Sequence, residues 1–214
     1  MSKCSLCFSE DSSLYYKNEK REYRLCSTCS LVYTLENSFL DAQDEKARYE
    51  LHTNSPDDKN YRKFLSKVFN PVLDRLEKNA FGLDFGSGPG PTLSKMFEED
   101  GFKINIYDIY FAPDADVLEL KYDFITSTEV VEHLYKPREV LDNLFDMLKP
   151  SAFLTLLTQP YPNKKEFASW YYKNDPTHVC FFSLDTFKYL AKEYKGKLEV
   201  IGKDVFILRK NDVN

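Results

Sequence analysis

An α/β protein with an open, mostly parallel sheet, preceded by a small cysteine-bound module, is the fold class this sequence predicts. Three observations predict it. From about residue 81, short blocks rich in Val, Ile, Leu and Phe alternate with helical patterns. The first block runs into GLDFGSGPG at residues 82–90, a strand–turn–helix junction with glycines at three alternate positions. Four of the five cysteines fall in the first 29 residues, as Cys4-x-x-Cys7 and Cys26-x-x-Cys29. The 214 residues fit one main domain and an appendage, divided as 1–36, a helical lead-in over 37–80, and the main domain over 81–214.

Taking the elements in order, the two C-x-x-C turns are separated by 18 residues, and the segment LYYKNEKREYRLC between them reads as a short hairpin. Each turn presents two thiolates to one ion, the pattern of a four-thiolate zinc ribbon with Cys4, Cys7, Cys26 and Cys29 as ligands. Two disulfides are the alternative, and a reducing compartment disfavours them. A closed thiolate shell makes the ion structural, and so short a module depends on it to fold. The ribbon either docks on the main domain or recognises a macromolecule. Cys180, alone and late, reads as a buried apolar residue.

The lead-in has a helical pattern over 41–52, a break at Asn54-Ser55-Pro56, and a second helix from Asp57. Tyr61, Phe64, Leu65, Val68, Phe69, Val72 and Leu76 share one face of the second helix. The main domain then reads as a strand at 81–86, a helix at 91–101, strands at 103–108 and 122–128, a helix at 137–149, a strand at 152–159, and a helix at 183–194 capped by Ser183. Strands at 197–203 and 204–210 close the chain as an antiparallel edge.

The glycine loop carries the cofactor assignment. Pro91 stands where a dinucleotide fingerprint has its third glycine, and Asp84 precedes the loop, where a carboxylate repels phosphate. A carboxylate beside exposed backbone suits a ligand with a cationic amino-acid end and no phosphate, such as S-adenosylmethionine (SAM). Asp108, about 20 residues beyond the loop at a strand end, has the chemistry to accept hydrogen bonds from two ribose hydroxyls.

From about Phe81 to Lys210 the chain resembles the class I SAM-dependent methyltransferases, on the D-x-G-x-G-x-G loop, Asp108, and STEVVEHL at 127–134. The resemblance implies a Rossmann-like seven-stranded sheet with SAM across the strand C-termini. It implies SAM contacts from Asp84, Gly86, Ser87, Gly88, Gly90, Asp108, Thr128 and Glu129. Between Asp108 and Tyr122 the family has a helix and a third strand; here only 13 residues remain, so that strand is short, with 116–120 as its best match. The adenine contact then falls to Ala115, Asp116 and Val117, or to stacking by Tyr110 or Phe111. In many family members a segment before the fold closes over SAM, which makes Tyr49, His52 and Asn54 candidates. The cysteine front is also similar to that of some sugar methyltransferases and of a ribosomal RNA methyltransferase.

On the acceptor side, Glu129, Glu132 and His133 follow a strand, and their spacings of three and four place them on one helix face. They read either as SAM-orienting and helix-capping groups or, with His178, as ligands of Mg2+ or Mn2+, a set similar to the E-x-x-E-H of small-RNA 2′-O-methyltransferases and ubiquinone-pathway O-methyltransferases. His178 is the candidate general base, helped by His133 and Glu129, because imidazole titrates near neutrality. Its alternative is a histidine held by backbone in a structured loop. Trp170, Tyr171 and Tyr172 either line an aromatic pocket or pack over the sheet.

The expected function is SAM-dependent methyl transfer to a hydroxyl or amine of a small molecule. The alternatives are an RNA or protein methyltransferase that uses the ribbon for recognition, and a non-catalytic SAM-fold binding module. A net charge of -5 argues against a protein devoted to gripping phosphate backbones. No apolar run reaches the roughly 20 residues of a membrane span, and the N-terminus lacks a signal-peptide core, so a cytoplasmic enzyme is expected.

Overall fold

The computed structural model describes residues 3–51 and 55–212. The N-terminal module is a hairpin of β1 (Ser12–Lys17) and β2 (Glu22–Cys26), extended antiparallel by β3 (Val32–Thr34). Asn18 makes the hairpin turn: its side-chain oxygen accepts from the Lys20 and Arg21 amides at 3.0 and 2.8 Å. Phe8 and Ser30, each just after the second cysteine of its pair, both have left-handed backbone (φ 59° and 57°). Their amides donate to the carbonyls of Cys4 and Cys26, so the two cysteine turns are built alike.

Two helices lead into the main sheet: α1 (Ala42–Tyr49) and α2 (Lys59–Leu73). Both begin on an aspartate cap. Asp41 accepts from the Gln43 and Asp44 amides, and Asp58 from those of Asn60 and Tyr61. The main domain follows with β4 (Phe81–Phe85), α3 (Thr92–Glu99), β5 (Lys103–Tyr107), β6 (Tyr122–Thr128), α4 (Pro137–Asp146) and β7 (Leu148–Leu157). After a short α5 (Lys164–Phe167) and the two-residue β8 (Cys180–Phe181) come α6 (Leu184–Glu193), β9 (Lys197–Ile201) and β10 (Val205–Arg209). Ser183 caps α6 as expected, and the Thr186 hydroxyl reciprocates by accepting from the Ser183 amide.

Among the described residues the main sheet has six strands, in the order β5-β4-β6-β7-β10-β9. β5, β4, β6 and β7 are mutually parallel, and β10 is antiparallel to both its neighbours. One expectation is corrected. The seventh, short strand is absent: residues Ala115–Glu119 form a 3-10 turn, because the Asp114 side chain accepts from the Asp116 amide and starts a turn there. The terminal pair forms the antiparallel edge as expected, with β10 against β7 and β9 outermost.

Leu65, Val68 and Val72 of α2 pack with Leu93, Met96 and Phe97 of α3 and with Phe124 and Phe153 on one sheet face. Each such burial stabilises by about 1.5–3 kcal/mol. The other face is covered by α4 and α6, and its core is continuous with Cys4, Leu6, Cys26 and Leu31 of the module. The module also shares a sheet with the main domain, since β8 pairs with β3 through Val32–Phe181 and Tyr33–Cys180. Cys180 is buried there, as expected. No helix among the described residues is long and apolar enough to cross a membrane.

Candidate active site

The chain leaves β4 toward β5 on one side and returns to β6 on the other, so a crevice opens at the carboxyl ends of these strands. A pocket of about 560 Å³ occupies it, within the range of small-molecule sites. Its floor is the glycine loop. Gly86 has φ 78°, and a Cβ there would lie 2.3 Å from Val130 Cγ2, so only glycine fits. Gly88 has φ 65° and would carry a Cβ into open space, which leaves its backbone free to meet a ligand.

Asp108 ties the loop to the end of β5. Its Oδ2 accepts from the Gly88 amide at 2.9 Å, and its Oδ1 accepts from those of Tyr110 and Phe111 at 2.9 and 3.1 Å. A carboxylate has about four acceptor positions, so capacity remains for a hydroxyl of a bound ligand. Asp108, Gly86, Ser87, Gly88, Thr128 and Glu129 all line the pocket. Gly90 and Asp84 do not.

Asp84 lies beneath the loop with 4% exposure, and accepts from the Thr126 hydroxyl at 2.9 Å. Burial pushes its carboxyl up to about 6, against the pull of Thr126 and the Ser94 backbone in the first turn of α3. The folded protein therefore holds this proton more tightly than the unfolded chain. Asp84's contribution to stability is full below its ordinary value near 4 and is lost as pH rises through about 6. Asp84→Asn should remove that loss. Relative to the parent, the variant should gain up to about 3 kcal/mol between pH 4 and 7.5. Urea unfolding of both ligand-free proteins at the two pH values checks this, and a gain of opposite sign would refute it.

α1 roofs the pocket. Glu45 accepts from the hydroxyls of Tyr49 and Tyr110, each at 2.8 Å, and the Tyr49 ring meets the His133 ring edge-on at 5.3 Å. Tyr49 thus lies at the site as expected, whereas His52 and Asn54 lie outside the described residues. Tyr110 and Phe111 line the pocket; Ala115, Asp116 and Val117 do not, which removes them as adenine contacts. Glu45, Tyr61 and Phe64 are lining residues that the sequence reading missed. The four-residue spacing of Glu45 and Tyr49 on one helix face was the available signal.

At the far end of the pocket stand Glu129, His133 and His178. Glu129, Glu132 and His133 do not share a helix face, contrary to the expectation from their spacing. Glu129 has left-handed backbone (φ 54°) and precedes a 3-10 turn, Val131–His133. The His133 and His178 rings meet edge-on at 4.6 Å. His178 is 7% exposed, with Nδ1 2.7 Å from the Tyr172 carbonyl; as donor there, Nδ1 carries the proton of the neutral ring and Nε2 the lone pair. The Tyr172 hydroxyl bonds to Glu132 Oε1 and lies 3.1 Å from Glu129 Oε2. Burial raises the proton affinity of both carboxyls, and at Glu132 the charge of Glu129 raises it further. Trp170, Tyr171 and Tyr172 do not line the pocket; Trp170 packs on Phe167, Tyr172 and Phe181.

Among the described residues, two groups have ligand atoms close enough to share an ion, each set lying within 4.8 Å of one another: Cys4, Cys7, Cys26 and Cys29, and Glu132, His133 and His178. Glu129 is not in the second group, which narrows the expected set of four to three. In the first, Cys4 and Cys29 sulfurs are 3.6 Å apart and those of Cys7 and Cys26 3.4 Å. A tetrahedral zinc with bonds of about 2.3 Å needs sulfurs roughly 3.8 Å apart, so the thiols fit it.

Residues 58–195, more than half the chain, match a family model described as a methyltransferase domain. The chain is 28% identical over 91 residues to a ubiquinone biosynthesis O-methyltransferase of Shewanella pealeana, a match covering 42% of this chain and 39% of that relative. The matched stretch is thus well under half of that relative's length. A SAM-dependent methyltransferase from Archaeoglobus fulgidus superposes with TM-score 0.51 at 16% identity, over 70% of this chain and 94% of that one. The 1,6-didemethyltoxoflavin-N1-methyltransferase of Burkholderia thailandensis, solved with 1,6-didemethyltoxoflavin and S-adenosylhomocysteine, gives 0.51 at 16% identity, over 94% and 100%. At these identities the two structures bear on the fold alone.

Proposed function

Because the chain belongs to the methyltransferase domain family, we propose that it is a class I SAM-dependent methyltransferase whose acceptor is a hydroxyl of a small molecule, deprotonated by His178. The observation that carries this reading is the His178 ring, fixed by the Tyr172 carbonyl so that Nε2 is the basic atom, at the wall of the cofactor pocket. When bound, SAM supplies an already activated methyl group, so alignment accounts for most of the rate. The chain's own work is to hold the cofactor and to take one proton. Gly86 and Gly88 offer backbone to the methionine part, Asp108 accepts from the ribose, and α1 excludes water above. His178 Nε2 receives the hydroxyl proton as the oxygen attacks, and the cationic ring lies near the Glu132 carboxyl.

The name of the Shewanella relative, an O-methyltransferase, supports a hydroxyl acceptor. The pocket's aromatic walls, Tyr61, Phe64 and Tyr135 among them, suit a small, partly apolar molecule. A four-thiolate zinc at Cys4, Cys7, Cys26 and Cys29 belongs to the same reading, and with it a reducing compartment, the cytoplasm.

A second reading has its own observation, the proximity of Glu132, His133 and His178. A Mg2+ or Mn2+ held there would lower the pKa of the acceptor hydroxyl in place of a base. Incubation with methyl-labelled SAM and fractionated extract tests both. Label should enter the small-molecule fraction, and His178→Ala should lower the rate by about 10²–10⁴-fold. Label in RNA or protein, or an unaltered His178→Ala rate, would overturn the first reading. A rate that vanishes on dialysis and returns with Mg2+ or Mn2+ selects the second.

A further inference from the structure

Arg21 closes the turn of the β1–β2 hairpin, and its guanidinium is largely buried, where burial lowers its pKa. Holding a cation there without a paired carboxylate is costly unless its donors are well used. Nε has no hydrogen-bond partner among the described residues, but the two terminal nitrogens are spent on three main-chain carbonyls of one short segment. Nη1 donates to Asp175 O at 2.9 Å and, longer, to Lys173 O at 3.4 Å, and Nη2 donates to His178 O at 2.5 Å. The Tyr23 hydroxyl donates to the same Lys173 carbonyl at 3.0 Å, and its ring lies under the guanidinium at 5.6 Å. One residue further on, the Thr34 amide donates to Val179 O at 2.9 Å, and the Val179 amide donates to Glu132 O at 2.8 Å. His178 is thus bracketed on its main chain by the cysteine module, through Arg21 before it and Thr34 after it.

We infer that Arg21 is a positioning residue for His178, and that the cysteine module braces the 173–178 segment from behind the acceptor site rather than serving as a separate recognition device. The inference rests on the reading of His178 as the acceptor-side base. The geometry explains why the module is welded to the fold by β8 instead of tethered to it. A peptide carbonyl gripped by a rigid, planar donor fork moves little, and the 173–178 segment has no strand of its own to fix it. Misplacing the ring by about 1 Å is enough to lower methyl transfer about 100-fold.

The chain has three histidines, so histidine-selective ¹³C,¹⁵N labelling gives three ring signals, assigned by His52→Gln and His133→Gln. In Arg21→Ala the His178 signal should shift and lose its fixed tautomer while His52 stays in place. Affinity for S-adenosylhomocysteine, measured by calorimetry, should stay within about 2-fold, since the guanidinium serves the 173–178 segment and not the glycine loop. Arg21→Lys, a cation without the fork, should give an intermediate shift. Methyl transfer from labelled SAM into extract should fall about 100-fold in Arg21→Ala. A folded Arg21→Ala with an unmoved His178 signal overturns the inference. If Arg21→Ala does not fold, Tyr23→Phe removes only one hydroxyl, and an unmoved signal there does the same. A moved signal with methyl transfer unchanged in both Arg21→Ala and His178→Ala overturns the base reading and leaves the positioning geometry standing.

Discussion

Removing the zinc proposed at Cys4, Cys7, Cys26 and Cys29 is expected to melt the N-terminal sheet and release the 173–178 segment that it braces. The module's own interior is small: Leu6, Tyr23, Leu31 and Val32 are its fully buried apolar side chains beside the cysteines. A structural zinc contributes on the order of 10 kcal/mol, comparable to a whole domain's stability of about 5–15 kcal/mol. Without it, four thiols within 4.8 Å of one another have no common partner. The aromatic cluster of Tyr15, Tyr23, Phe167, Tyr172 and Phe181, which joins module to main domain, then loses one of its sides. Hydrogen exchange before and after chelation measures this. Protection should collapse at Tyr23, Val32 and Phe181 and persist in β4 and β6. Cys29→Ser should reproduce the pattern with a substoichiometric zinc content. Native protection in metal-free protein would refute the zinc assignment.

The second large effect is expected at Asp108. Asp108→Ala should weaken SAM binding by about 100-fold or more, corresponding to roughly 2.7 kcal/mol. Two losses combine. The ribose hydroxyls lose a charged acceptor, worth about 1.5–3 kcal/mol. The amides of Gly88, Tyr110 and Phe111 lose theirs as well, so the glycine loop is released from the end of β5. Asp108→Asn separates the two contributions, because one amide oxygen can still serve either Gly88 or the Tyr110–Phe111 pair but not both. It should fall between parent and alanine variant in calorimetric titrations with S-adenosylhomocysteine. Full affinity in Asp108→Ala would rule out the ribose role.

The parts of the molecule legible in the sequence are those set by local spacing. The C-x-x-C pairs, the glycine loop and Asp108 each depend on a few neighbouring residues, and the structure places the loop and Asp108 at one pocket and the cysteines in one cluster. The segment 109–121 was misread for a physical reason. Residues 116–120 include three apolar residues, Val117, Leu118 and Leu120, but the Asp114 cap turns the backbone before a strand can start. STEVVEHL was read as helical because its spacing is helical, whereas Glu129 adopts the left-handed region and redirects the chain. The pocket's roof was only half legible: Tyr49 was recognised, and Glu45, which ties it to Tyr110, was not. Arg21 carried no signal at all. Its partners lie more than 150 residues away and are carbonyls, which every residue has.

The pairing of β3 with β8 also has a consequence for biosynthesis. Ser5 and Cys180, whose side chains meet at 3.7 Å, are 175 residues apart in the chain. The module leaves the ribosome well before β8, and its sheet cannot close until β8 has been made. At ordinary synthesis rates that delay is on the order of 10 s. For that interval β3 offers an unpaired edge to any other nascent strand, and closing so distant a contact is intrinsically slow. An early-bound ion would hold the cysteine turns together while the hairpin waits for its fourth strand.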